Sequence, residues 1–231
     1  MQTLDYLAPF TYFFKAENWL KKFIITSLLT YTLVGAAPVL GWMIAIVRRV
    51  GQGQVPEVPE LSDWKSFWKL GGQFAAVNIF WLLPLLLAVI VLYLPLIFAH
   101  SIKPEMILVI FGGTLGCVLI FLLVYSIIYA FFFPAMQVLL ARSGSTWQSA
   151  NPVQLWKTAW KHFVPYLLVF LIVGLALINV LLVLAALTAF LLLPPLLVYA
   201  GLVSAHYAGQ LARLDRDSPQ EKQISTGAEQ R

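Results

Sequence analysis

Three stretches of the chain, Leu70–Ile102, Met106–Ala141 and His162–Ala212, contain no Asp, Glu, Lys or Arg. Leu85–Leu94 is apolar at every position, so the alternation of a membrane β-barrel strand is absent there. A lipid-embedded backbone of this kind must satisfy its own hydrogen bonds, and a helix does so. One helix needs roughly 20 apolar residues to span the hydrocarbon core. The first two stretches predict one spanning helix each, Gly72–Ala99 and Glu105–Phe133, joined by His100-Ser101-Ile102-Lys103-Pro104. The third is long enough to turn back and predicts a pair, Phe163–Ala186 and Thr188–Leu211, with Pro194-Pro195 as an alternative break.

An earlier apolar block, Phe23–Val47, is flanked by Lys21 and Lys22 and by Arg48 and Arg49. It suits one crossing by length. Gly35-Ala36-Ala37-Pro38 in its middle suits a bend, because proline removes a backbone donor and crowds the preceding turn. The block is therefore either a fifth span or a re-entrant hairpin bent at Gly35–Pro38, and the charge order favours the hairpin. The fold class is all-α: a polytopic membrane bundle of four full spans plus this first segment, with amphipathic interfacial helices.

The flanks carry a repeat. Trp64-Lys65-Ser66-Phe67-Trp68-Lys69 precedes the second block, and Trp156-Lys157-Thr158-Ala159-Trp160-Lys161 precedes the third. Both read W-K-x-x-W-K, which puts the two tryptophans on one helix face and the two lysines beside it. Indoles at headgroup depth with ammoniums reaching water or phosphate suit a membrane interface. Ser62 or Asp63 is placed to cap the first segment, and Asn151-Pro152 the second. A looser version, with Trp19, Lys21 and Lys22, precedes the first block. Each block closes on arginine, at Arg48-Arg49, Arg142 and Arg213. One membrane domain, residues 1–214, thus reads as three pseudo-repeats, about 10–50, 61–143 and 152–214. Gly51–Leu61, with two prolines, is an extended loop. Asp215–Arg231 is polar, lacks aromatics and is expected to be disordered.

Composition agrees. Charged residues make up 11% of the 231 residues and apolar ones 61%, against about 25% charged in soluble domains. The net charge of +5 sits in the flanks of the blocks, so it is assigned to topology and lipid headgroups rather than to nucleic acid. The excess of Lys and Arg beside the W-K segments and at Arg213 places the carboxyl terminus in the cytoplasm and the chain in a cytoplasmic or inner membrane. No cleavable signal is expected.

Candidate chemistry is sparse. Cys117 is the sole cysteine, so no internal disulfide or cysteine-based metal site is expected. His100, His162 and His206 are scattered, and no cofactor or metal is expected from them. Gln73, Asn78, Gln137 and Asn179 are the main polar groups of the apolar stretches. They read as interhelical hydrogen-bonding groups, or as the lining of a substrate path. Small residues offer close helix packing at Gly112 and Gly116, and at Gly201, Ala205 and Gly209, within one chain or toward a partner.

The order Gly41-Trp42, Arg48-Arg49, a glycine-bearing loop, Pro59, Asp63-Trp64 and Gly71, then Ala205-His206-Tyr207-Ala208-Gly209-Gln210, resembles the prokaryotic membrane family known as domain of unknown function 4013. The resemblance covers about residues 10 to 214. Members of that family typically have Gly-Tyr where this chain has Gly41-Trp42. It implies a multi-pass membrane fold and carries over no activity or functional residue. The first expectation for function is a non-catalytic scaffold, assembly factor or accessory subunit. The alternatives are a transporter or channel for a small neutral or amphiphilic molecule, and a lipid- or pigment-binding protein. The expected partners are the lipid bilayer and either a membrane protein or a second copy.

Overall fold

The computed structural model describes residues 4–54, 57–97, 103–188 and 190–216. Among them the chain is helical and has no β-strand. A short helix α1 (Ala8–Thr11) and a 3-10 turn lead to α2 (Trp19–Thr30) and α3 (Leu33–Gln52). The long helices α4 (Trp64–Ile97) and α5 (Pro104–Ser143) follow, then two short ones, α6 (Thr146–Ala150) and α7 (Pro152–Lys161). Next comes a continuous rod of α8 (Phe163–Val169), a π-helical stretch (Phe170–Leu177) and α9 (Ile178–Leu187), and the chain ends on α10 (Leu193–Arg216).

Among the described residues, four helices are long and apolar enough to cross a membrane: Val34–Gln52, Trp64–Leu94, Met106–Ser143 and Phe163–Leu187. This set includes the second limb of the first block and leaves out α10. The carboxyl half of α10 bears Ser204, His206, Gln210, Arg213 and Asp215, and its residues Leu202–Gly209 are all buried by the rest of the chain.

The chain divides into two compact units, residues 78–130 and the remainder. Residues 78–130 are the adjoining parts of α4 and α5. Tyr125 donates its hydroxyl to the Trp81 carbonyl (2.6 Å), and the Phe121 and Tyr125 rings stack at 5.6 Å. Leu82, Leu86, Leu87, Leu119, Ile120 and Leu123 of this unit are exposed, as lipid-facing residues of a spanning helix are. The His100–Ile102 part of the expected connection lies outside the described residues.

In the other unit α3 is the centre. The first block does fold back, but not at Gly35–Pro38. The bend falls at Tyr31–Thr32, and Thr32 caps α3 by accepting the Gly35 N–H through Oγ1 at 2.9 Å. Gly35 is needed for closeness rather than for turning, since a Cβ there would lie 2.4 Å from the Leu29 carbonyl oxygen. Pro38 stays inside α3, as prolines of membrane helices commonly do. The limbs are unequal. Twelve residues of α2 reach only about 18 Å, while α3 has spanning length. Phe13 locks them together, its ring 6.2 Å from Phe23 and 6.1 Å from Trp42.

Two glycine contacts set the packing of α3. Gly41 faces Gly71 of α4: a Cβ on Gly71 would sit 1.7 Å from the Ala37 oxygen, and one on Gly41 1.9 Å from the Phe67 oxygen. Along α10, a Cβ on Gly201 would meet the Met43 Cε at 2.4 Å, and one on Gly209 the Val50 Cβ at 2.4 Å. Ala205 between them is fully buried. Small residues thus let α3 lie against α4 and α10 with backbones close. The pair Gly112 and Gly116 is placed differently, with nothing within 4 Å of a Cβ at either. Gly209→Ala is expected to lower stability by about 1–3 kcal/mol through overpacking, while Gly116→Ala leaves it unchanged or slightly raised. Thermal unfolding of the two variants in one detergent checks this.

The third block breaks between α9 and α10, where Phe190 has φ 63°. Pro194 and Pro195 fall in the first turn of α10, where a missing N–H costs nothing. Asp215, assigned from sequence to the polar tail, belongs instead to α10 and is buried. Its carboxylate is gripped by two cations, which holds the last turn in place. Residues 217–231 of that tail lie outside the described residues.

Candidate functional site

The W-K segments differ in form. Trp64–Lys69 is the start of the continuous α4, capped by Asp63, whose Oδ1 accepts the Ser66 N–H at 3.2 Å. Trp156–Lys161 ends a separate helix, α7, which Asn151 caps through the Val153 N–H at 2.9 Å and which breaks at His162. The fourth position of each segment, Phe67 or Ala159, is buried. Trp68, Trp156 and Trp160 are exposed, and Trp156 and Trp160 stack at 5.0 Å. Lys65, Lys69 and Lys157 are exposed and Trp64 is half-buried. In the first version Trp19 is half-buried and Lys21 exposed, but Lys22 is buried and pairs with Glu60 at 2.6 Å. A buried ammonium requires such a partner, so Lys22 serves the fold rather than the membrane surface.

The loop that carries Glu60 is pinned at three points. Glu60 holds Lys22, and the Pro59 carbonyl accepts the Trp42 indole N–H at 3.0 Å. Glu57 accepts from His206 at 3.0 Å. His206 sits one helical turn before Gln210, whose side-chain N–H groups reach His206 Nδ1 and the Asp5 carbonyl, both at 3.1 Å. Gln210 Oε1 accepts the Asp5 N–H at 2.9 Å. A donor on Nδ1 leaves Nε2 as the protonated nitrogen of a neutral ring, the one that donates to Glu57. Tyr12 lies against the imidazole, ring centres 4.3 Å apart, and donates to the Leu202 carbonyl at 3.0 Å. Burial, with the Glu57 charge adding to it, holds the Tyr12 phenol well above its usual range. The Ala8 and Leu7 N–H groups hold the Asp5 carboxyl below its usual range.

Asp5, Tyr12, Glu57, His206 and Gln210 border a cavity of about 810 Å³. Asp5, Glu57, Lys15 and Arg213 put both signs of charge on it, and Ala8, Val50 and Val58 make it partly apolar. Both ring nitrogens of His206 are engaged, so the imidazole fastens the loop and the amino-terminal segment onto α10.

A second polar cluster lies at the end of α10. Arg142 and Lys161 both pair with the Asp215 carboxylate, Lys161 at 2.8 Å, and His162 Nε2 is 3.4 Å from it. The cluster ties together the ends of α5, α7 and α10. Among the described residues no three of His, Cys, Asp and Glu gather as metal ligands would. Cys117 is exposed, and His100 lies outside the described residues.

The polar groups of the apolar stretches are bonded within the chain. Asn78 Oδ1 accepts the Tyr129 hydroxyl, Gln73 donates to the Gly144 carbonyl at 3.0 Å, and Gln137 accepts from Ser204 at 3.1 Å. Asn179 departs from the interhelical expectation: its amide turns back to the Leu175 carbonyl of its own helix rod.

The sequence reading missed Tyr12, Glu57 and Asp215. Glu57 and Asp215 are two of only ten acidic residues. That scarcity, with the i, i+4 pair His206 and Gln210, was the available signal.

The helices define a multi-pass α-helical membrane protein. The model of a family described as "Protein of unknown function (DUF4013)" matches residues 24–211, and the chain belongs to that family. No curated protein and no solved structure matches it. Several residues of that resemblance make contacts of the fold: Gly41 meets Gly71, Trp42 meets Pro59, and His206 and Gln210 border the cavity.

Proposed function

We propose that this chain is a non-catalytic component of a cytoplasmic or inner membrane: a scaffold, assembly factor or accessory subunit. The observation that carries the reading is the use of its polar groups. Asn78, Gln73, Gln137, Asn179 and His206 are each spent on another group of the same chain, which supports a role in holding the fold. The cavity beside His206 is lined by neither Asn78 nor Asn179, so it lends nothing to a transport path along those residues. Copurification after mild detergent extraction tests the proposal. A stoichiometric membrane protein is the expected result, and a chain that copurifies with none across several detergents overturns it.

A second reading rests on the cavity of about 810 Å³ beside His206. A mixed-charge, partly apolar cavity suits an amphiphile with a zwitterionic headgroup, which makes the chain a lipid- or pigment-binding protein. It predicts a small molecule that copurifies with the wild type and is lost from Glu57→Gln.

The excess of positive charge on the W-K segments and Arg213 supports a cytoplasmic carboxyl terminus. A reporter fused after Arg231 is expected to work only if its activity requires the cytoplasm. Activity from a reporter that matures solely outside it reverses the orientation.

A further inference from the structure

Around its axis, α7 divides into three sectors. Leu155 and Ala159, one turn apart, are buried against the protein. Val153, Trp156 and Trp160, spaced i, i+3 and i+7, form an exposed apolar stripe. Gln154, Lys157 and Lys161 repeat that spacing one residue on and make a polar stripe beside it. The apolar stripe is mostly aromatic. Trp156 and Trp160 are 52% and 57% exposed and stack at 5.0 Å, and the Phe163 ring lies 5.0 Å from Trp160. Among the described residues neither of these indole N–H groups donates to an acceptor in the chain.

Two neighbouring open indoles leave a large apolar area in water, whereas the hydrocarbon core would strand their N–H groups and the lysines beside them. The headgroup zone of a bilayer suits both, with acyl chains below the rings and water, phosphate and ester oxygens above. The chain path puts α7 at that depth. The spanning stretch Phe163–Leu187 begins two residues after Lys161. The two do not form one rod, because His162 between them leaves the helical region at φ −129° and ψ 51°. The Trp64–Lys69 segment lacks this division. It is the beginning of the continuous 34-residue helix α4, with Trp64 half-buried, Phe67 buried and only Trp68 of its aromatic residues exposed.

We propose that α7 lies in the membrane plane and binds the lipid surface, its tryptophan pair at the boundary of headgroups and acyl chains and its polar stripe toward water. The test uses the full chain carrying Cys117→Ser, in vesicles of phosphatidylethanolamine and phosphatidylglycerol. Single cysteines made by Val153→Cys or Gln154→Cys carry a nitroxide, and both positions are exposed, so neither change touches the core. Collision of the label with oxygen, which concentrates in the bilayer, is compared with collision with a water-soluble nickel chelate. The oxygen-to-nickel ratio is expected to be several-fold higher at position 153 than at 154. With Trp156→Ser and Trp160→Ser combined, the ratio at 153 is expected to fall to near that at 154, while Trp68→Ser leaves both ratios unchanged. Should the doubly substituted chain fold poorly, Trp160→Ser alone gives the same reading at smaller amplitude. Nickel-accessible labels at both positions put α7 in water and overturn the proposal. A label at 153 shielded from both reagents assigns the stripe to a protein contact and overturns it too, as does a ratio at 153 that survives loss of the tryptophans.

Discussion

Gly71→Ala is expected to cost about 3 kcal/mol or more, while the same change at the adjacent Gly72 costs nothing. A Cβ on Gly71 would lie 1.7 Å from the Ala37 carbonyl oxygen and 2.6 Å from its carbon. The clash is with backbone, which cannot swing aside as a side chain does, so α3 and α4 must separate along the crossing. Overpacking of this kind usually costs 1–3 kcal/mol, and backbone contact puts it at the top of that range or beyond. Gly72 has nothing within 4 Å of its Cβ position. Adding a methyl there removes only the extra freedom of glycine in the unfolded chain, worth roughly 0.5–1 kcal/mol of added stability. The two changes share side-chain chemistry, helix and depth, so thermal unfolding in one detergent isolates the crossing. Equal midpoints for the two variants would remove the Gly41–Gly71 contact from the account. Gly41→Ala tests the same crossing from α3, and the two changes combined are expected to cost less than their sum, because one separation relieves both clashes.

That crossing shows where sequence is informative about this fold and where it is not. Charge-free length alone located α4, α5 and the α8–α9 rod, because lipid selects for uninterrupted apolar helix; the expected span Thr188–Leu211 instead became α10, which is not among the helices long and apolar enough to cross. The helices that carry the W-K segments were legible from their starts, because Asp63 and Asn151 are local caps acting on residues two or three places ahead. The bend of the first block was misplaced. Pro38 signals a local cost that a long helix can absorb, whereas Thr32 caps α3 from a position with no special composition around it. The spacing of Gly112 and Gly116 equals that of packed pairs, yet only position relative to a neighbour separates them from Gly201 and Gly209. The His206 cavity was illegible for a related reason. Tyr12, Glu57 and His206 come from three distant parts of the chain, and nothing local to any of them names the others.

Asp215 is the clearest case of a long-range partner deciding a local structure. Its carboxylate is buried, and it holds Arg142 of α5 and Lys161 of α7, both only partly exposed. Removing the acid leaves two cations and His162 facing one another in a poorly solvated place. Breaking a buried pair in this way costs 3–5 kcal/mol when both partners are fully enclosed. Here both cations keep contact with solvent, so Asp215→Ala is expected to cost about 2 kcal/mol. The loss should fall on the joint between the ends of α5, α7 and α10. Limited proteolysis of the variant is therefore expected to cut near residues 143–152 sooner than in the wild type. The effect belongs to the pair rather than to the acid alone. In a double-mutant cycle with Arg142→Met, the coupling between Arg142 and Asp215 is expected to reach about 1–3 kcal/mol. Arg142→Met combined with Asp215→Leu should recover part of the loss, since a well-packed apolar pair can replace a buried ionic one. Strict additivity of the two single changes, with no change in the cleavage pattern, would assign Asp215 to the polar tail after all.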